Sequence, residues 1–200
     1  MIAIVDFGSG NLRSVQKAFE KVGSQAVITQ DPVAIKQAAK VVLPGVGSMK
    51  PAMEKLRSLG LIESIHQVIN DGKPFLGICL GLQLLFDSSD EGGQTQGLGI
   101  LAGCVTRFKA LKVPHMGWNQ IHIAKPPCKI YQDITDGSYV YFCHSYFVNP
   151  KDKNIITTKT DYGLDFTSSV NKENIFGVQF HPEKSQTVGL KIISNFAQLK

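Results

Sequence analysis

Long apolar runs are missing from this chain. Met1-Ile2-Ala3-Ile4-Val5 stops at Asp6, too short for a signal h-region and without a basic n-region. Nor does any stretch approach the ~18 apolar residues of a membrane-spanning helix. Cysteine is sparse: Cys79, Cys104, Cys128 and Cys143 lie far apart, with no C-x-x-C pair. That argues against a metal centre or a disulfide framework and suits a reducing cytoplasm. A dense basic stripe is lacking too. The formal charge is +5, and the nearest thing to a cluster is Arg107, Lys109 and Lys112, whereas nucleic-acid binding calls for a denser patch with interleaved aromatics. No internal repeat, low-complexity tract or Walker-type lysine loop occurs, so ATP use is not expected. Gly8-x-Gly10 invites a dinucleotide-binding reading, but Arg13 stands where the third glycine would fall and no acidic residue clearly serves a ribose. The expectation is an enzyme or binding module with no cofactor and no metal.

What is present describes an ordinary globule. At 200 residues, 43% hydrophobic and 18% charged, the chain suits one domain over residues 1–200. Its first half alternates strand and helix patterns. Apolar runs at Ile2–Phe7, Ala26–Ile28, Val41–Leu43 and Phe75–Ile78 read as strands. Between them, Leu12, Val15, Ala18, Phe19 and Val22 form one helical stripe closed by Gly23, and Asp31-Pro32 opens a short helix. Met53, Leu56 and Leu59, then Ile62, Ile65 and Ile69, continue the helical pattern, which returns at Leu82–Phe86. Strands apolar throughout and separated by helices imply a mostly parallel sheet covered on both faces, an α/β fold. From about Leu98 the chain turns β-rich: Cys104–Phe108, Gln120–Ile123, Tyr139–Phe147, Ile155–Thr160, Phe166–Val170 and Ile175–Phe180 predict an antiparallel extension, and Val188–Leu199 a final helix.

The most informative stretch is Gly77-Ile78-Cys79-Leu80-Gly81 at a strand-to-helix junction. It is the cysteine counterpart of the nucleophile elbow, in which a strained turn presents the nucleophile and bulky neighbours would collide with strand or helix. A cysteine by itself is more often a buried core residue; the flanking glycines outweigh that reading. The thiol needs a base, because an ordinary thiol is only a few per cent ionised at neutral pH. His181 stands out for this, in Phe180-His181-Pro182-Glu183 directly after a strand. Residues two apart project to one side of an extended segment, and Pro182 biases His181 toward extended backbone, so Glu183 can hold one imidazole nitrogen while the other faces Cys79. Of the other histidines, His66 falls in a helical pattern and His122 reads as a surface residue.

Together the two motifs resemble the class I (triad) glutamine amidotransferases, whose elbow is followed much later by His-Pro-Glu after a Gly-x-Gln-Phe strand, here Gly177-Val178-Gln179-Phe180. The likeness runs essentially the whole length. It takes in Asp6–Leu12, Leu43–Gly47, Gly77–Phe86, Pro114–Asn119, Tyr141–Tyr146 and Gln179–Lys184. Leu82 stands where many members carry histidine, and the His115-Met116-Gly117-Trp118-Asn119 segment points to the branch that serves (β/α)8-barrel synthases.

The resemblance implies a flavodoxin-like domain that releases ammonia from L-glutamine through a thioester on Cys79, with His181 and Glu183 completing the triad. Ammonia would pass to a (β/α)8-barrel synthase subunit in a heterodimer of histidine biosynthesis, with neither nucleic acid nor membrane involved. Oxyanion donors would be the N–H of Leu80 and of Val46, the latter between two glycines that let its peptide rotate once the partner docks. Gly47, Gln83, Ser145 and Tyr146 would hold glutamine. Asn11, Met116, Trp118, Tyr141 and Lys184 would face the partner, with His115 on the same surface and His144 structural. The rival expectations are a paralogue supplying a barrel that aminates a cell-surface sugar, another class I glutaminase, and a silent binding module of the same fold.

Overall fold

A computed structural model describes residues 1–109, 112–124 and 128–200. The first half follows the expected alternation: β1 (Ile2–Val5), α1 (Leu12–Lys21), β2 (Ala26–Thr29), α2 (Pro32–Gln37), β3 (Lys40–Gly45), α3 (Met49–Ser58), α4 (Leu61–Asn70), β4 (Phe75–Cys79) and α5 (Leu80–Leu84). The β-rich half contributes β5 (Phe86–Ser89), β6 (Thr95–Gln96), β7 (Leu101–Arg107), β8 (His115–Ile123), β9 (Ser138–His144), β10 (Tyr146–Pro150), β11 (Ile156–Asp161), β12 (Asp165–Lys172) and β13 (Ile175–Val178), before α6 (Gln186–Ala197).

Local chemistry accounts for the punctuation. Asp31 caps α2 by accepting from Val33 N–H at 2.9 Å, with Pro32 in the first turn, where its missing donor costs nothing. Past the end of α1, Gly23 adopts φ +79° while its N–H and that of Ser24 return to the carbonyls of Glu20 and Phe19. This is a Schellman closure that a β-carbon would strain.

The strand order is β2-β1-β3-β4-β13-β12-β10-β7-β5-β6. From β2 to β13 neighbours run parallel, and β12, β10 and β7 continue antiparallel. β11 leaves this path to pair with β12 and β8, and β8 pairs with β9. The period-2 alternation of the parallel strands builds two cores. Ala3, Val5, Val41 and Leu43 pack with Ile35, Leu56 and Ile65 of α2, α3 and α4 on one face; Ile2, Ile4, Val42 and Leu76 pack with Val15, Phe19, Ile192 and Phe196 of α1 and α6 on the other.

Two expectations shift. The helix foreseen over Leu82–Phe86 is α5, which ends at Leu84, and Phe86 instead starts β5 opposite Leu101. Leu82, Leu84, Leu85 and Phe86 are all buried, so their spacing carries no preference between helix and strand. The run Tyr139–Phe147 is two strands broken at Ser145, because β9 pairs with β8 while β10 pairs with β7 and β12.

Candidate active site

β3, β4 and β13 lie side by side and parallel, so their carboxyl ends open on one edge of the sheet. Gly45 pairs with Cys79, and Val178 with Ile78, which sets the Pro44–Gly47 turn on one flank of Cys79 and the Gln179–Glu183 segment on the other. Sheet order thereby joins residues a hundred positions apart.

Cys79 precedes α5 with φ +55° and ψ −108°, a left-handed conformation that costs an L-residue of order 1–3 kcal/mol. The flanking glycines have a steric cause. A β-carbon on Gly77 would stand 2.7 Å from the Gly81 carbonyl oxygen, and one on Gly81 would stand 1.7 Å from that of Leu43. Both contacts are with backbone, which cannot swing aside.

His181 is extended (φ −99°, ψ 97°) and pinned at both backbone atoms. Its N–H donates to the Tyr141 carbonyl at 2.9 Å, and its carbonyl accepts from Ser185 Oγ at 2.7 Å. Nδ1 donates to Glu183 Oε1 at 2.8 Å; the two side chains are 4% and 2% exposed. Glu183 gets there through a 3₁₀ turn at Pro182–Lys184 rather than by continued extension, with Pro182 opening the turn. Burial lowers the His181 pKa, but hydrogen bonds and charge from Cys79 and Glu183 outweigh it and raise the value to about 10. A proton on this imidazole is strongly favoured while its two partners are negative.

A cavity of about 260 Å³ opens over these groups. Val46, Gly47, Cys79, Leu80, Gln83, Ser145, Tyr146, His181 and Lys184 all line it. The Val46 N–H points to Ser9 Oγ at 3.4 Å, and the Ser9 hydroxyl donates to the Val46 carbonyl. Both backbone polar groups of Val46 are thus engaged by one serine, and Gly47 beyond it takes φ +91°. Gln83 is turned inward, its Nε2 donating to the Tyr146 carbonyl and to Gln179 Oε1, both at 3.0 Å.

Sequence reasoning passed over two residues here. Glu91 lines the cavity while its Oε2 accepts from Met49 N–H at 2.8 Å, capping α3. Its signal was faint, one carboxylate in a polar loop. Gln179 is fully buried, with Nε2 3.6 Å from Cys79 Sγ. It sits two residues before His181, so strand alternation could have placed it on the catalytic side.

The expected partner surface divides. Met116 and Trp118 are 61% and 46% exposed, the Trp118 and Tyr141 rings lie 6.1 Å apart, and Lys184 Nζ stands 5.7 Å from the Tyr141 ring. Asn11 is exposed but lines a different groove, with Gly10, Leu12 and Arg13. His115 does not belong to the surface. Alternation along β8 turns it inward as Met116 and Trp118 turn out, and it stacks on Tyr162 and Phe142 at 3% exposure. His115 Nδ1 meets His144 Nε2 at 2.9 Å, and His144 Nδ1 donates to the Tyr146 carbonyl at 2.7 Å. His144 is a buried structural link, and His122 is exposed beside Asp136.

Known proteins share this architecture. The family model described as glutamine amidotransferase class-I matches residues 3–199. An imidazole glycerol phosphate synthase subunit HisH of Geobacter metallireducens is 52% identical over all of this chain and 98% of its own. The protein of that name from Methanocaldococcus jannaschii is 49% identical, with both chains wholly covered. A solved structure titled as a glutamine amidotransferase superposes with a TM-score of 0.78 over 99% of each chain at 15% identity, a likeness of fold.

Proposed function

Because the chain belongs to the class-I glutamine amidotransferase family, we propose that it is the glutaminase subunit of an imidazole glycerol phosphate synthase, hydrolysing L-glutamine and delivering ammonia to a (β/α)8-barrel subunit. The full-length relatives that bear that subunit name support histidine biosynthesis over sugar amination. One observation carries the chemistry. A strained, buried cysteine shares a cavity and a side-chain hydrogen bond with an imidazole whose far nitrogen is held by a buried carboxylate.

In this reading Cys79 Sγ attacks the side-chain carboxamide carbon of glutamine as its proton passes to His181 Nε2. His181 returns that proton to the departing nitrogen, ammonia leaves, and a γ-glutamyl thioester remains. His181 then takes a proton from water, the hydroxide adds to the thioester, and thiolate departs as glutamate forms. Glu183 holds the imidazole in the tautomer that presents Nε2 and stabilises its charged form. The Leu80 N–H, just after the nucleophile, supports the oxyanion; Val46 N–H joins it only when released from Ser9. Gly47, Gln83, Ser145 and Tyr146 frame the glutamine, and Glu91 places a carboxylate in the cavity to meet its α-ammonium group.

Trp118, Met116, Tyr141 and Lys184 form an aromatic and cationic patch that suits docking, with Asn11 beyond it. At neutral pH free ammonia is mostly ammonium, which is not nucleophilic, so transfer within a complex preserves the reactive form. The test is Cys79→Ser in the complex with the co-purified barrel protein. Thioester formation should vanish while the partner still binds, and undiminished turnover would mean the nucleophile is misassigned.

A further inference from the structure

The orientation of two buried amides beside Cys79 is determined by what surrounds them. The Tyr146 carbonyl can only accept, so the Gln83 amide must present its NH2 there, at 3.0 Å. The second hydrogen of that NH2 meets Gln179, also at 3.0 Å, and only the Gln179 carbonyl oxygen can receive it. Gln179 must then turn its own NH2 the other way, and Nε2 lies 3.6 Å from Cys79 Sγ. A backbone carbonyl thus dictates, through two side chains, that a donor faces the sulfur. Gln179 is wholly buried, so its amide has no water as an alternative partner, while Gln83 reaches it from the cavity wall.

We propose that Gln179 is a catalytic residue of this site, donating an amide N–H to the Cys79 sulfur, and that Gln83 is the positioning residue that holds it in that orientation. The inference rests on Cys79 being the nucleophile. A hydrogen bond to an ionised sulfur favours thiolate over thiol. A neutral donor does so without adding a charge that would compete with His181 for the proton. The bond weakens when the sulfur is acylated and its charge is lost, and recovers as thiolate leaves, so thioester hydrolysis gains as well. No proton changes owner at Gln179: the thiol proton goes to His181, and the amide keeps both hydrogens.

The test uses the full chain with its barrel partner. Alkylation by iodoacetamide is followed on the Cys79 peptide by mass spectrometry, because Cys104 and Cys143 are also partly accessible. Gln179→Leu and Gln179→Met each remove the donor to sulfur and the acceptor for Gln83 without adding a charge. Each should move the midpoint of the alkylation-versus-pH profile upward by about one unit and lower glutaminase kcat about tenfold, with KM for glutamine within about twofold. The remaining titratable groups around the sulfur and cavity, His181, Glu183, Cys143, His144, Glu91, Tyr146 and Lys184, stay in place in every variant. Gln83→Leu frees the Gln179 amide to flip and should shift the profile in the same direction by less. It is also the second arm should the Gln179 variants fail to fold. Folded variants with the wild-type profile and kcat overturn the proposal. Turnover surviving in Cys79→Ser would instead overturn the assignment of the nucleophile, so the two failures are distinct.

Discussion

Gly81 passes so close beneath Leu43 that a β-carbon there would overlap the Leu43 carbonyl oxygen, at 1.7 Å. The contact locks the first turn of α5 against β3 and sets the angle at which Cys79 leaves β4. Gly81→Ala should cost about 3 kcal/mol of stability, read by thermal melting, and any folded fraction should have lost most glutaminase activity. Near-wild-type melting and turnover would show that the elbow relaxes more easily than its geometry implies.

Ser9 engages both the N–H and the carbonyl of Val46. If that bond keeps the Val46 N–H out of the oxyanion site, Ser9→Ala should raise the glutaminase rate of the isolated subunit severalfold. An oxyanion donor is worth ~10²–10³ in rate, of which the variant should recover part. The rate with the partner bound should change little. An unchanged ratio of stimulated to basal rate in the variant would exclude Ser9 as the restraint.

Glu91 spends one carboxylate oxygen on the Met49 N–H and leaves the other for the cavity. Glu91→Gln keeps a neutral acceptor for that N–H while removing the charge. The expected result is a KM for glutamine raised about tenfold or more, from loss of a charge-assisted contact, with a smaller change in kcat. A KM equal to wild type would remove Glu91 from glutamine recognition.

The imidazole pair gives the fold an acid sensitivity. Burial lowers His115 to about 4. Burial, opposed by the hydrogen bond to the Tyr146 carbonyl and reinforced by His115 and His181, lowers His144 to about 3. Both are neutral when folded, whereas the unfolded chain takes up protons near pH 6.5. Their contribution to stability is therefore complete above about pH 6.5 and is lost as pH falls toward 4 and 3. Melting temperature should drop between pH 7 and pH 5, and drop less in His144→Gln. Parallel curves for the two proteins would assign the acid sensitivity elsewhere.

Much of this molecule was legible in one dimension. The short apolar runs Ile2–Val5, Val41–Leu43 and Phe75–Ile78, alternating with helical stripes, pointed to a sheet covered on both faces, and the stripe closed by Gly23 pointed to an amphipathic helix. What resisted reading was of two kinds. Leu82–Phe86 is buried on every side, so its spacing held no information about helix or strand. His115 stood in a stretch resembling a docking face, and only the register of β8 against β9 shows which alternate side chains turn inward.

Residue order alone determined the strand–helix alternation, the glycine-flanked cysteine and the His-Pro-Glu pairing, because each depends on chain stereochemistry within a few positions. Tertiary structure decided which distant groups became neighbours. Parallel β3, β4 and β13 bring Val46, Cys79 and Gln179 to one edge, and the Tyr146 carbonyl settles how the Gln83 and Gln179 amides face. Such choices depend on strand order and on buried donors meeting acceptors, which linear spacing does not encode.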